Sequence, residues 1–154
     1  MLRIDIRELH RGPVETVGSL APTAPLWEGL GLEFAGPVAV SGRLEASGRA
    51  DYRWRGRIRG EVKATCRRCL TEFIQAVDTP IEALFSANPD LEDDPTVYLL
   101  EEPVTHVDVS KAVREELGLA LTAYPLCREN CAGLCPHCGA DLNQGPCRCG
   151  PVSP

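Results

Sequence analysis

Three consecutive runs in the middle of the chain alternate apolar and polar residues with a period of two, the pattern of half-buried strands. From Val38 to Ala46 the even positions hold Val38, Val40, Gly42, Leu44 and Ala46, while Ala39, Ser41, Arg43 and Glu45 fill the odd ones. From Tyr52 to Ala64 the even set is Tyr52, Trp54, Gly56, Ile58, Gly60, Val62 and Ala64, and the odd set is Arg53, Arg55, Arg57, Arg59, Glu61 and Lys63. Directly paired residues share a face, so both even sets reach the core only if the loop between them has an odd number of residues. Three or five serve, with Gly48 suited to the turn. The third run, Phe73, Gln75, Val77, Thr79, Ile81, Ala83 and Phe85, follows the turn Cys66-Arg-Arg-Cys69. Pro80 has no N–H to give a ladder, which assigns its stretch to an edge or a bulge. Residues 38–85 therefore read as an antiparallel β meander.

Patterning on either side is weaker. Leu2 to Ile6 alternates and predicts a short first strand, whereas residues 12–37 carry nine Gly or Pro and read as a long connection with a short strand at most. Asp94 to Val107 reads as a loop holding a short strand, Thr96 to Leu100. From Val109 the spacing changes to three and four, through Val113, Leu117, Ala120 and Leu121. That predicts a helix over 108–121, capped by Asp108 or Ser110 and ended before Pro125. Residues 127–154 have too few large apolar side chains to fold by burial and need metal to be ordered. The expected architecture is α+β in a single domain, 1–154: an antiparallel meander, one principal helix and a C-terminal cysteine-rich zinc module over 127–149.

Composition narrows the class. With 154 residues, 44% hydrophobic, 25% charged, 14 Gly and 13 Pro, the chain is turn-rich and ordered, which excludes collagen, coiled coil and wholesale disorder. No window approaches a membrane span, and Met1 to Glu8 places acids where a secretory signal needs an apolar core. The expectation is a cytoplasmic protein with no membrane partner.

In a reducing compartment, eight cysteines are available to metal rather than to disulfides. They fall as Cys66-x-x-Cys69, Cys127-x-x-x-Cys131-x-x-x-Cys135-x-x-Cys138 and Cys147-x-Cys149, twice the four ligands of a closed zinc site, so two zinc ions are expected. Short loops favour Cys135, Cys138, Cys147 and Cys149 as one group and Cys66, Cys69, Cys127 and Cys131 as the other. A crossed ribbon of Cys66, Cys69, Cys135 and Cys138 is the alternative. His137 lies between two ligands and is expected to be exposed. Arg67 and Arg68 would lower a neighbouring thiol pKa, as in a dithiol oxidoreductase, yet that site needs a following helix and Phe73 to Phe85 alternates like a strand.

Net charge is −6, but a basic block over 42–68 is followed by an acidic one over 69–116. Alternate strand residues lie about 6.7 Å apart, so Arg53, Arg55, Arg57 and Arg59, with Lys63 beyond, line a cationic stripe about 20 Å long. With Arg67 and Arg68 these are the candidate RNA-binding residues, because guanidinium forks match phosphate and stack on bases. The competing reading is a solvated outer face, neutralised by Glu92 to Glu102 or by Glu45 across the hairpin. Nothing supports an enzyme: the sequence has no Gly-x-Ser-x-Gly, phosphate loop or His-Glu-x-x-His.

The basic strand leading to Cys66-Arg-Arg-Cys69-Leu70, the acidic middle, the helix Val107-Asp-Val-Ser-Lys-Ala-Val-Arg-Glu-Glu-Leu and the string Cys127-Arg-Glu-Asn-Cys131-Ala-Gly-Leu-Cys135-Pro-His-Cys138-Gly with Cys147-Arg-Cys149 together resemble the bacterial YceD family. This family is also called large ribosomal RNA subunit accumulation protein. The resemblance implies a cytoplasmic, non-enzymatic factor for 23S rRNA accumulation and large-subunit assembly. Taken with the cationic stripe, the expected partner is that rRNA or a large-subunit precursor. It also matches all eight cysteines to the family pattern. A factor that instead meets a basic ribosomal protein through Asp90 to Glu102 is the second expectation.

Overall fold

The computed structural model describes residues 2–149; Met1 and residues 150–154, the ends of the expected 1–154 domain, lie outside it. The chain divides into two compact units, one of Met1–Val62 and Ala76–Leu121, the other of Lys63–Gln75 and Thr122–Pro154. In chain order the elements are β1 (Arg3–Asp5), α1 (Ile6–Leu9), β2 (Val14–Leu20), β3 (Glu33–Phe34), β4 (Val38–Ala46), β5 (Asp51–Thr65), β6 (Glu72–Ser86), β7 (Val97–Leu99), β8 (His106–Asp108) and α2 (Ser110–Ala120). The six-stranded sheet runs β2-β4-β5-β6-β7 with β3 beside β5, and β1 pairs with β8 apart from it. A mostly antiparallel sheet with one principal helix agrees with the expected class.

The meander forms where alternation placed it. Ala46 opposes Tyr52 and Val40 opposes Ile58 in the β4–β5 register, and the Ser47 N–H donates to Asp51 O at 2.9 Å, so the loop count is odd. Its left-handed residue is Ala50, at φ 62°, rather than Gly48. Val38, Val40, Leu44, Trp54 and Ile58 are all but fully buried. In β6 the buried set moves to Val77, Ile81, Ala83 and Phe85, as the third run predicts. β7 covers β6 only at Leu84–Ser86, leaving Pro80 on an open edge among the described residues.

One expectation needs correction. Residues 12–37 are not merely a connection: Val14–Leu20 is a seven-residue strand paired antiparallel with β4 from Val14↔Leu44 to Leu20↔Val38. Its one buried residue is polar Thr16, which accepts from the Trp54 indole Nε1–H at 2.8 Å. Outside the 38–85 meander, which is antiparallel as expected, β7 adds to β6 in parallel, so the whole sheet is mixed.

Trp54 explains two apolar-face positions without side chains. Gly42 and Gly56 are cross-strand partners. A Cβ on Gly42 would meet Trp54 Nε1 at 2.7 Å, and one on Gly56 would meet Cζ2 and Cη2 at 2.5 and 2.6 Å. The glycine pair thus makes the slot in which the indole lies. Opposite elements close the same core: Val109, Ala112, Val113 and Leu117 of the helix are fully buried, the Asp108 carboxylate accepts from the Ser110 N–H at 2.9 Å, and Arg114 donates to the backbone oxygens of Leu26 and Glu28. Among the described residues no helix is long and apolar enough to cross a membrane.

Candidate functional site

The arginines of β5 stand on the face opposite Trp54 and Ile58, as a period of two requires. Arg55, Arg57 and Arg59 are exposed and Arg53 half-buried. The stripe is interleaved with carboxylates of neighbouring strands. Arg53 and Arg55 lie 3.5 and 3.6 Å from Glu82, Arg55 lies 3.7 Å from Glu45, and Asp78 of β6 bonds Arg57 and lies 3.4 Å from Arg59. The Arg57 guanidinium holds the Asp78 carboxyl below its usual range. Glu45 neutralises across the hairpin as foreseen, but the other partners are Asp78 and Glu82, not the Glu92 to Glu102 run. Exposed pairs of this kind are weak, and each arginine keeps donors for another acceptor. Lys63, Arg67 and Arg68, in the second unit, are also exposed.

The second unit is built from its cysteines. Cys66-Arg-Arg-Cys69 and Cys135-Pro-His-Cys138 form turns of the same shape: the Leu70 N–H donates to Cys66 O at 3.0 Å and the Gly139 N–H to Cys135 O at 2.9 Å. The following residue is left-handed in both, Leu70 at φ 61° and Gly139 at φ 71°. Such a turn points two sulfurs and several N–H groups into one pocket. N–H groups of Cys69, then Cys127 and Arg68, pull the Cys66 thiol down to about 6. Those of Cys138 and His137 do the same for Cys135, also to about 6.

The eight sulfurs assemble as Cys66, Cys69, Cys127 and Cys131, and as Cys135, Cys138, Cys147 and Cys149, each set within 4.8 Å. These are the groups that short loops favour. Sulfurs 2.3 Å from a tetrahedral ion stand about 3.8 Å apart, and the separations here are 3.7 Å for Cys66–Cys131, 3.6 Å for Cys69–Cys127 and 3.4 Å for Cys135–Cys147. A disulfide would need about 2.05 Å. Within each set the protonation preferences split. Burial and then the neighbouring sulfurs push Cys127 up to about 12, and the Cys138 sulfur, with burial, pushes Cys149 up to about 12. Four thiolates can share so small a space only around a cation, so each tetrad can hold one metal ion.

Sequence reasoning missed Asn143, which lies in the loop between Cys138 and Cys147 and bonds the first tetrad. Its Nδ2 donates to Cys131 Sγ at 3.4 Å, lowering that thiol's pKa, and its Oδ1 accepts from the Ala132 N–H at 2.8 Å. Asp141 Oδ1 fixes its rotamer, accepting from the Asn143 N–H and Nδ2 at 2.9 and 2.8 Å. The spacing Asp141-x-Asn143 was the available signal, a side chain bonding backbone two residues on. His137 is exposed, as expected.

Comparison with known proteins follows this geometry. A protein of Mycobacterium leprae, uncharacterised by name, is 26% identical over 152 residues, covering 92% of this chain and 68% of its own length. A protein of Mycobacterium tuberculosis is 33% identical over 96 residues, 59% of this chain and 45% of that protein. The chain thus spans about two thirds of one mycobacterial relative and under half of the other. The chloroplast large ribosomal RNA subunit accumulation protein YCED homolog 1 of Arabidopsis thaliana is 40% identical over 47 residues, 30% of this chain and 15% of that protein. No solved structure matches. Residues 54–154, which include Arg55, Arg57 and Arg59 of β5 and all eight cysteines, match the family described as Large ribosomal RNA subunit accumulation protein YceD, and the chain belongs to that family.

Proposed function

We propose that this chain is a cytoplasmic, non-enzymatic assembly factor that supports 23S rRNA accumulation by binding the rRNA, or a large-subunit precursor, through Arg53, Arg55, Arg57 and Arg59. Lys63, Arg67 and Arg68 of the second unit are further RNA contacts. The observation that carries the reading is an exposed arginine row on one strand face in a family named for large-subunit rRNA accumulation. Each guanidinium is held at the surface by a weak carboxylate contact that a phosphate can replace. Binding of this kind falls steeply with salt. The two tetrads hold zinc, a structural ion with four thiolates and no open position. Cys66, Cys69, Cys127 and Cys131 close one loop set and Cys135, Cys138, Cys147 and Cys149 the other, ordering a segment too poor in apolar residues to fold alone.

Ultraviolet crosslinking in cells, with sequencing of the recovered RNA, tests this. Enrichment of 23S precursor sequence that disappears in the double variant Arg55→Glu, Arg57→Glu is the expected result. Crosslinked RNA unaffected by that reversal would remove the ladder from the interface. A second reading, docking of a basic ribosomal protein on Asp90 to Glu102, draws support from the ladder's use of Glu45, Asp78 and Glu82 instead of that stretch. Recovery of a large-subunit protein without RNA, insensitive to arginine reversal, would favour it.

A further inference from the structure

The two cysteine turns share a backbone but not a surface. In Cys135-Pro-His-Cys138 the left-handed position is Gly139, with nothing within 4 Å of its would-be Cβ. The first turn puts Leu70 there, at φ 61°, a conformation that disfavours any side chain with a Cβ. Leu70 gains no burial in return, being 62% exposed. An apolar side chain held strained and in water marks a contact surface rather than a folding element.

Its surroundings say what kind of contact. In the same turn, the Arg67 guanidinium lies over the Tyr124 ring, 5.5 Å from its centroid, and the Arg67 N–H donates to Pro125 O at 2.9 Å, which fixes the two segments together. Tyr124 is 74% exposed, so most of its ring is open. Arg68 of the same turn donates to Cys131 O at 3.0 Å. An open aromatic ring, a guanidinium over it and an exposed aliphatic side chain from the same turn as that guanidinium make a platform for an unstacked base, with a cation placed for its phosphate. A duplex hides its base faces and cannot use it.

We infer that Tyr124, Arg67 and Leu70 form a subsite for an unpaired nucleotide of RNA, so that the protein selects single-stranded rather than helical segments. The inference rests on the RNA-binding reading and adds to it the strandedness of the partner, two further residues, Tyr124 and Leu70, and a stacking role for Arg67.

Anisotropy of a labelled oligouridylate and of a labelled RNA duplex of equal length, titrated with full-length metal-loaded protein, tests it. Tyr124→Ala should weaken oligouridylate binding about 5- to 150-fold, the range for loss of one stacked base, and leave duplex binding unchanged. Tyr124→Phe should retain the affinity. Leu70→Gly should lose affinity without losing thermal stability, since it relieves the backbone while removing the contact, and this separates recognition from folding. If Tyr124→Ala and Leu70→Gly both bind oligouridylate as the wild type does while Arg55→Glu, Arg57→Glu does not, the subsite is wrong and the ladder stands. Failure of the wild type to bind either RNA overturns both readings. Loss of a co-purifying large-subunit protein from Tyr124→Ala, with RNA affinity intact, makes the surface a protein contact and also overturns the inference.

Discussion

Replacing Gly56 by alanine tests the core arrangement at its tightest point. The added Cβ would sit 2.5 and 2.6 Å from two indole carbons of Trp54 and 2.8 Å from Ser41 O, where ordinary carbon contacts need about 3.5 Å. The ring must therefore move by about 1 Å, and it is fully buried. Overpacking of this kind costs about 1–3 kcal/mol. Moving the ring also breaks the Nε1–H bond to Thr16, leaving a buried donor unsatisfied at about 1–3 kcal/mol more. The expected destabilisation is about 3 kcal/mol, a fall in Tm of roughly 6–12 °C for a chain of this size. Thermal unfolding followed by circular dichroism, at equal metal content, measures it. Two other glycines calibrate the scale. At Gly60 the Cβ would lie 3.2 Å from Val38 Cγ2, and at Gly36 nothing lies within 4 Å, so alanine should cost about 1 kcal/mol at the first and nothing, or a small gain, at the second. In a Trp54→Leu background the Gly56→Ala penalty should largely vanish. A Gly56→Ala protein that melts with Gly36→Ala would refute the slot.

Three further outcomes are expected. Asp78→Asn with Glu82→Gln removes the carboxylates that compete with phosphate for the ladder, so filter binding should show several-fold tighter RNA retention; weaker or equal retention would contradict the competition. Cys135→Ser should expose the carboxy-terminal tail to limited proteolysis while the meander persists, whereas an intact tail with unchanged metal content would count against the second site. Tyr98 is raised above the usual phenol range by burial and by the Glu115 carboxylate that its hydroxyl bonds. The stability it contributes is full below the unfolded pKa of about 10 and is lost as pH climbs towards the folded value. Alkaline spectrophotometric titration should find a tyrosine component above the usual phenol range, and Tyr98→Phe should remove it.

What the sequence disclosed follows from which interactions are local. Strands β4, β5 and β6 bury every second residue, so their alternation is written in the chain. The helix likewise shows its buried Val113 and Leu117 one turn apart. The cysteine groups were legible because short loops cost less to close. β2 was not, since its core-facing Thr16 is polar and its outward Val17 is 70% exposed, the inverse of the usual signal. The reason is Trp54, which needs an acceptor more than another apolar neighbour. The ladder's partners were hidden for a different reason: alternation tells which face a residue takes but not which residue stands opposite, so Asp78 and Glu82 were invisible until β5 and β6 were in register. Leu70 and Tyr124 carried no pattern, because one depends on a backbone angle and the other on a contact between distant segments.

Asn143 gives the cysteine module a direction in time. During synthesis, Cys131 leaves the ribosome ahead of the carboxamide that bonds its sulfur, by a separation of 12 residues. At translation speeds of about 5–20 residues per second that is a delay of roughly one second. A nascent chain therefore completes its first set of four thiols before the hydrogen bond that secures it exists. The bond arrives only with the loop that ends in Cys147 and Cys149. A chain truncated or cleaved between the two sets would keep all four sulfurs of the first and still lack its outer clasp, so the presence of the Asn143 loop is registered at a site formed from residues made earlier.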